Sequence, residues 1–329
     1  MKKENPAKKF EKCLDISDRF DLFFTERVSY PFALLFNKMG MHPNFVTILN
    51  GLFGIAGAVL FIFNNLICTI VGIFLVIMCA ILDCADGQVA RMSHKGSLFG
   101  RTLDGLIDSV VYISIYVCLG IRLMSANIPF TETQWSFWIF LIIVPYGLIF
   151  HTSQCRTADY YRNAHMYLSA SERGSELTYS GDIEKIVQEN KKPFYKFFVM
   201  NSYLTYTKTQ ERETPKLQKL LALIRQNNRV IPTEVSDYYR SESNKICRLA
   251  NSLVFNVRSY TLFALLLLTE ILKVTGVSTF SWEILIFPIV LLTLEPIKIF
   301  LRIRYEKIAE KATEIMESVM KEKENNDGK

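Results

Sequence analysis

Apolar stretches close to the length of a membrane span recur along this chain, and strongly charged segments separate them. A helix needs about 20 mostly apolar residues to cross the hydrocarbon core, where backbone polar groups must bond within the protein. The pattern therefore predicts an all-α membrane protein with six transmembrane helices. The spans are expected at about residues 42–63, 66–91, 100–121, 135–153, 260–274 and 282–301.

The charged segments divide the chain into five predicted regions. A basic tail is followed by an amphipathic helix, from about Asp18 to Met39, that is expected to lie in the membrane interface. The segment between spans four and five is polar with helix-like stretches, and it is interpreted as a cytosolic helical insert. The regions are 1–40 (tail and interfacial helix), 41–155 (helices 1–4), 156–257 (insert), 258–303 (helices 5–6) and 304–329 (charged cytosolic tail).

The distribution of Lys and Arg predicts the orientation of the chain. These residues cluster before the first span, in alternate loops and after the last span, whereas the predicted outer loop 122–134 has only Arg122. The positive-inside rule then places both termini on the cytoplasmic side, and we expect a multi-pass protein of a bacterial inner membrane. The net charge of +6 fits contact with anionic lipid headgroups, while no recognition motif indicates nucleic acid.

Four aspartates stand at the predicted inner ends of spans two and three. Asp83 and Asp86 are three residues apart and Asp104 and Asp108 are four apart, so each pair lies on one helix face. An acidic side chain near lipid costs about 3 kcal/mol on insertion scales, which favours a compensating cation. Carboxylates suit Mg²⁺ or Mn²⁺, and the two pairs predict a site for two such ions. Solvated aspartates at a helix boundary are the structural alternative.

The residues between the acids extend this pattern. Gly87, Ala90 and Gly100 are small residues beside the acids, and Arg91 adds a positive charge. The run reads D-x2-D-G-x2-A-R-x8-G-x3-D-x3-D from Asp83 to Asp108. It resembles the signature of the CDP-alcohol phosphatidyltransferase family at every fixed position.

The resemblance implies roles for named residues. It implies metal ligation by Asp83, Asp86, Asp104 and Asp108, and it makes Asp108 the ligand or general base that takes the acceptor's proton. Asn44 and Thr47 open the first span at a helix N-terminus, which favours anionic groups, although both are ordinary capping residues. The nucleotide-binding residues implied are Asn44, Thr47, Asp83, Gly87, Ala90, Arg91 and Gly100.

The reaction implied is transfer of a substituted phosphoryl group from a CDP-alcohol to a second alcohol, with release of CMP, in phospholipid synthesis. CDP-diacylglycerol as donor and a polar acceptor such as inositol phosphate are the first expectation. Arg156, Arg162 and Arg258 are candidates for binding a phosphorylated acceptor. The alternative is that they only reflect the usual excess of basic residues on the cytoplasmic side. The family also implies a homodimer.

Two alternatives stay open at the level of sequence. In one, CDP-ethanolamine or CDP-choline is the donor and diacylglycerol or ceramide is the acceptor. The motif is the same for a lipid donor and for a lipid acceptor, so it does not distinguish them. In the other, the acids mark the path of a divalent-cation carrier that Glu295 could join, with Lys298 as its ion-pair partner. Metal-dependent release of CMP distinguishes an enzyme from a carrier.

Overall fold

The computed structural model describes residues 25–129, 131–169, 177–189 and 193–327, and these form α-helices joined by short turns with no β-strand among them. The all-α prediction is therefore confirmed. The predicted basic tail and the start of the predicted interfacial helix lie outside the described residues. The helices are α1 (Glu26–Lys38), α2 (Pro43–Leu60), α3 (Leu66–Ser93), α4 (Leu98–Leu123), α5 (Phe140–Pro145), α6 (Thr152–Leu168), α7 (Ser180–Glu189), α8 (Phe194–Glu213), α9 (Pro215–Gln226), α10 (Thr233–Ala250), α11 (Phe255–Val274) and α12 (Ile286–Asp327).

Six helical stretches of the described chain are long and apolar enough to cross a membrane, as the hydropathy pattern predicts. Helices α2, α3 and α4 form the first three. The fourth is composite, because a 3₁₀ turn at Ser136–Ile139 precedes α5 and a π-helical turn at Tyr146–His151 precedes α6. The six stretches are Pro43–Leu60, Leu66–Ser93, Leu98–Leu123, Ser136–Leu168, Thr233–Val274 and Trp282–Glu322.

The fourth and sixth helical stretches extend beyond their predicted apolar spans. The fourth was expected to end near residue 153 and continues to Leu168, and the sixth was expected to end near residue 301 and continues to Asp327. Neither extension contains a glycine or a proline to end the helix. Hydropathy marks where apolar residues stop, which is a different position from the end of the helix.

Glycines on α2 allow close contact between the first three spans. A Cβ atom at Gly51 would lie 2.7 Å from Ile107 Cγ2 on α4, and one at Gly57 would lie 2.8 Å from the carbonyl oxygen of Gly72 on α3. Small residues at such crossings let helix backbones approach in a membrane bundle. The same packing brings the motif-bearing ends of α2, α3 and α4 together.

The chain forms two compact units. The described part of the first unit comprises residues 25–129, 131–153 and 255–292, and that of the second comprises 154–169, 177–189, 193–254 and 293–327. Inside the second unit, the rings of Tyr161 on α6 and Tyr305 on α12 stack with centroids 4.2 Å apart. Leu220 of α9 and Val235 of α10 are fully buried there, so these helices share an apolar interior.

A buried ion cluster joins the other ends of the first unit's helices, away from the motif. Arg122 was expected in an outer loop, but it lies in the last turn of α4 with 2% of its surface exposed. Its guanidinium contacts a carboxylate oxygen of Glu270 and donates to Glu283 Oε1 at 2.7 Å and to the carbonyl oxygens of Phe61 and Phe63 at 3.3 and 3.1 Å. We call Arg122, Glu270 and Glu283 the Arg122 cluster. A guanidinium has five N–H donors, and these acceptors explain how it can be buried.

Candidate active site

Three of the four motif aspartates meet at the converging ends of α3 and α4. Asp83 on α3 and Asp104 and Asp108 on α4 each offer a carboxylate oxygen, and these oxygens all lie within 4.8 Å of one another. Asp83 and Asp104 are half-buried and Asp108 is exposed. The Oδ1 atom of Asp104 is buried and has no hydrogen-bond partner in the part of the chain that the structure describes. We call these three residues the acidic group. The helical spacing of four residues places Asp104 and Asp108 one above the other on the face that meets Asp83.

Asp86 occupies a different position from the other three acids. It is 6% exposed, and its Oδ2 accepts a hydrogen bond of 2.6 Å from the hydroxyl of Thr47 on α2. That hydroxyl also lies 3.3 Å from the carbonyl oxygen of Pro43 in its own helix. Thr47 thus ties the first span to the motif, and Asp86 lies outside the acidic group of Asp83, Asp104 and Asp108.

Asn50 is a residue of this site that the sequence reasoning missed. It is fully buried, its Nδ2 donates to Asp83 Oδ1 at 3.3 Å, and its Oδ1 lies 2.7 Å from the sulfur of Cys79. The amide therefore holds one carboxylate of the acidic group. The sequence did contain a signal, because Asn50 is a polar residue inside an apolar span, one helical turn after Thr47.

The residues predicted to contact a nucleotide surround the same helix ends. Gly100, near the start of α4, faces Asn44, and a Cβ atom at Gly100 would lie 3.0 Å from Asn44 Oδ1. A Cβ atom at Gly87 would lie 3.4 Å from Nη1 of Arg91, so the guanidinium lies over the glycine. Ala90 is half-buried, and its carbonyl oxygen accepts from the backbone at the end of α3. The structure thus brings together on one side of the first unit residues that are far apart in the sequence.

The three arginines predicted to bind an acceptor belong to different units. Arg258 is in the first unit, on α11, and is 3% exposed. Arg156 and Arg162 are on α6 in the second unit, where Arg156 forms an ion pair with Glu213, with Nη2 and Oε1 2.5 Å apart. Glu295, the residue considered for a cation path, also belongs to the second unit, where it pairs with Lys298 as expected.

Residues 40–162 match a family model described as CDP-alcohol phosphatidyltransferase. The chain carries a CDP-alcohol phosphatidyltransferase domain. The matched segment contains the whole motif from Asp83 to Asp108 and the residues of α2 that contact it. No curated protein and no solved structure matches the chain.

This match confirms, over residues 40–162, the recognition made from the motif. CDP-alcohol phosphatidyltransferases are transferases of phosphate-containing groups in phospholipid biosynthesis. Together with the six apolar helices, the family indicates an integral membrane enzyme that acts on a CDP-alcohol and a second alcohol.

Proposed function

We propose that this chain transfers a phosphatidyl group from CDP-diacylglycerol to a polar alcohol such as inositol phosphate and releases CMP. The observation that carries the proposal is the acidic group, whose carboxylate oxygens lie within 4.8 Å of one another inside the family domain. In this reaction the acceptor oxygen bonds to the phosphorus that bears diacylglycerol, and the bond from that phosphorus to CMP breaks. The acceptor's proton and the charge on CMP must both be accommodated at one site.

The residues present fit divalent cations. Carboxylate oxygens are the ligands that Mg²⁺ and Mn²⁺ prefer, and the buried Oδ1 atom of Asp104 has no hydrogen-bond partner among the described residues. We expect Asp83, Asp86, Asp104 and Asp108 to hold two such ions. Bound cations would supply positive charge to the pyrophosphate and to the departing CMP.

Asp108 is proposed to accept the proton of the acceptor hydroxyl. It is the exposed member of the acidic group, so it is the carboxylate most accessible to an incoming alcohol. A general base must come within hydrogen-bond distance of the proton that it removes, and its contribution is typically about 10²–10⁴-fold in rate.

The nucleotide is proposed to lie along the ends of α2, α3 and α4. Arg91 would pair with a phosphate oxygen beside Gly87, since a Cβ atom at Gly87 would lie 3.4 Å from Nη1 of Arg91. Asn44, Thr47, Ala90 and Gly100 would complete this surface. Thr47 and Asn50 would act by holding Asp86 and Asp83, because each donates a hydrogen bond to one of these carboxylates.

A phosphorylated acceptor needs a cationic partner near the acidic group. Among the three candidate arginines, Arg258 belongs to the same unit as the acidic group, whereas Arg156 forms an ion pair with Glu213 in the second unit. Arg258 is therefore the first acceptor-binding candidate to test, followed by Arg162 and Arg156. The acceptor's identity within this chemical class is the part that product analysis must decide.

The proposed setting is a bacterial inner membrane, with the acidic group and both termini on the cytoplasmic side. The clusters of Lys and Arg in alternate loops support this orientation. Association into a homodimer is proposed from the family resemblance.

The test is product analysis with the purified full chain in lipid nanodiscs. CDP-diacylglycerol is supplied with inositol phosphate, glycerol phosphate or serine, and CDP-ethanolamine or CDP-choline is supplied with diacylglycerol, each with Mg²⁺ or Mn²⁺. We expect CMP and a phosphatidyl product only from CDP-diacylglycerol, and none after chelation. Products from CDP-ethanolamine or CDP-choline alone would reverse the assigned donor and acceptor, and CMP release from no donor would favour a cation carrier.

A further inference from the structure

A cluster of aromatic and polar side chains lies one helical turn beyond the acidic group, where α4 packs against the fourth span. The ring of Tyr112 on α4 stacks on the imidazole of His151, with centroids 4.3 Å apart. The hydroxyl of Tyr116, one turn further along α4, lies 2.6 Å from Nδ1 of His151, which is 2% exposed. These three residues belong to the first unit, as the acidic group does. The stacking on a buried imidazole fixes the orientation of the Tyr112 ring.

The spacing along α4 places Tyr112 next to the proposed base. Asp104, Asp108 and Tyr112 follow one another at intervals of four residues, so they lie on one helix face. Helical side chains lean toward the N-terminus of their helix, and the ring of Tyr112 therefore leans toward the turn that carries Asp108. Asp108 is exposed and Tyr112 is half-buried, so each has surface left for a bound molecule. An alcohol that reacts at Asp108 and has a second polar group can extend to Tyr112.

A π-helical turn in the fourth span sets the hydrogen-bond direction of the Tyr112 hydroxyl. The hydroxyl of Thr152 lies 3.1 Å from the carbonyl oxygen of Gly147, five residues earlier, which is the spacing of a π-helix. It also lies 3.0 Å from the hydroxyl of Tyr112. A carbonyl oxygen only accepts and Thr152 has one hydroxyl hydrogen, so both bonds form only when Tyr112 donates to Thr152. The Tyr112 oxygen then acts toward a substrate as an acceptor.

This direction decides which chemical groups Tyr112 can recognise. An oxygen whose hydrogen is already donated accepts a bond from a hydroxyl group and offers nothing to an anionic oxygen. We propose that Tyr112 accepts a hydrogen bond from a second hydroxyl group of the acceptor, so that the enzyme prefers a polyol phosphate to a phosphate with one hydroxyl group. The inference rests on the proposed transfer to a polar alcohol. His151 and Thr152 act through Tyr112 as positioning residues.

The test compares acceptors that differ by one hydroxyl group. Glycerol phosphate and propanediol phosphate share the phosphate and a terminal hydroxyl, and inositol phosphate with its monodeoxy analogues forms a second series. With CDP-diacylglycerol and the full chain in nanodiscs, we expect kcat/KM to favour the fully hydroxylated acceptor about tenfold, the size of one well-formed hydrogen bond. Tyr112→Phe keeps the ring and should reduce this preference to about twofold or less, with an unchanged KM for CDP-diacylglycerol.

Thr152→Val is the matched control for a structural effect. Both variants remove the hydrogen bond between Tyr112 and Thr152, but only Tyr112→Phe removes the hydroxyl that meets the acceptor. Thr152→Val should therefore retain most of the preference for the hydroxylated acceptor. A preference that survives in Tyr112→Phe would overturn the contact, and one that is lost equally in both variants would assign Tyr112 a structural role only.

A binding measurement separates this inference from the proposed function. The protein is titrated calorimetrically with inositol phosphate and with its monodeoxy analogues, in the absence of any CDP-alcohol. If CDP-diacylglycerol yields no CMP, the proposed donor is wrong, and Tyr112 is still tested by this titration. Binding about tenfold weaker in Tyr112→Phe than in Thr152→Val supports the contact. Equal binding in the two variants, or no binding to the wild-type protein, overturns it.

Discussion

The first unit contains two clusters of charged side chains, and they differ in whether they include a cation. In the Arg122 cluster, two glutamates from separate elements meet one guanidinium, which also reaches backbone carbonyl oxygens. In the acidic group, three carboxylates are brought within 4.8 Å of one another, a separation at which each ionised pair repels by about 3 kcal/mol at an intermediate effective dielectric constant.

This difference indicates a structural role for the Arg122 cluster and a functional role for the acidic group. The Arg122 cluster contains its own cation, so removing that cation leaves two uncompensated carboxylates in the bundle. In the acidic group, an added cation would reduce the repulsion between the carboxylates, and the Oδ1 atom of Asp104 has no hydrogen-bond partner among the residues that the structure describes. We therefore expect charge removal to destabilise the first cluster and to inactivate the second.

The largest effect is expected at the acidic group. Asp108→Asn should lower turnover by about 10²–10⁴-fold, because an amide cannot take the proton of the acceptor. Its thermal stability should be unchanged or higher, since one negative charge leaves the group. CMP release and thermal unfolding of the same preparation measure both effects, and nucleotide binding should persist. CMP release at the wild-type rate would exclude Asp108 as the base.

The complementary change is in the Arg122 cluster. Arg122→Met should lower the free energy of unfolding by about 3–5 kcal/mol, because Glu270 and Glu283 are then left buried without their cation. Lys273→Met is the matched control, since Lys273 lies 3.8 Å from the same Glu270 but is 25% exposed, and its loss should cost about 1 kcal/mol or less. Denaturant unfolding of both variants gives the comparison. Equal losses would show that Arg122 has no special structural role.

Metal binding distinguishes the acidic group from the Arg122 cluster in an experiment that does not measure turnover. Mg²⁺ at about 100 times its dissociation constant should stabilise the protein by about 2.7 kcal/mol relative to a chelated sample. The stabilisation should disappear in Asp104→Asn and persist in Lys273→Met, which removes a charge beside the Arg122 cluster and leaves the acidic group unchanged. Thermal unfolding with Mg²⁺ and with chelator measures it. A shift retained in Asp104→Asn would place the ion elsewhere.

The smallest of these effects concerns the helix contact that supports the motif. Thr47→Val removes the hydrogen bond to Asp86 and keeps the side-chain shape, and a bond to a charged group contributes about 1.5–3 kcal/mol. We expect the KM for the CDP-alcohol to rise about tenfold or more, with Thr47→Ser close to wild type. Steady-state kinetics at saturating acceptor gives the value. The same KM in both variants would remove Thr47 from the nucleotide site.

Much of the architecture could be predicted from local patterns. Apolar length predicted six spans, and helical periodicity placed each pair of aspartates on one helix face. The reaction class was predicted from the resemblance of the motif to a family signature. Helix ends were predicted less well where α6 and α12 continue past their apolar residues. Periodicity and hydropathy depend only on residues that are close in the sequence, so both can be evaluated without the tertiary structure.

The tertiary structure decided which residues of different helices are in contact. The sequence determined that four aspartates face the ends of two spans, but only the packing of α2 against α3 and α4 showed that Thr47 binds Asp86 and that Asn50 binds Asp83. Likewise, Arg122 lies 148 residues from Glu270 in the sequence, and no local pattern joins them. Such partners depend on how whole helices rotate and cross. Close packing between helices sets these angles, and the spacing of residues along one helix does not.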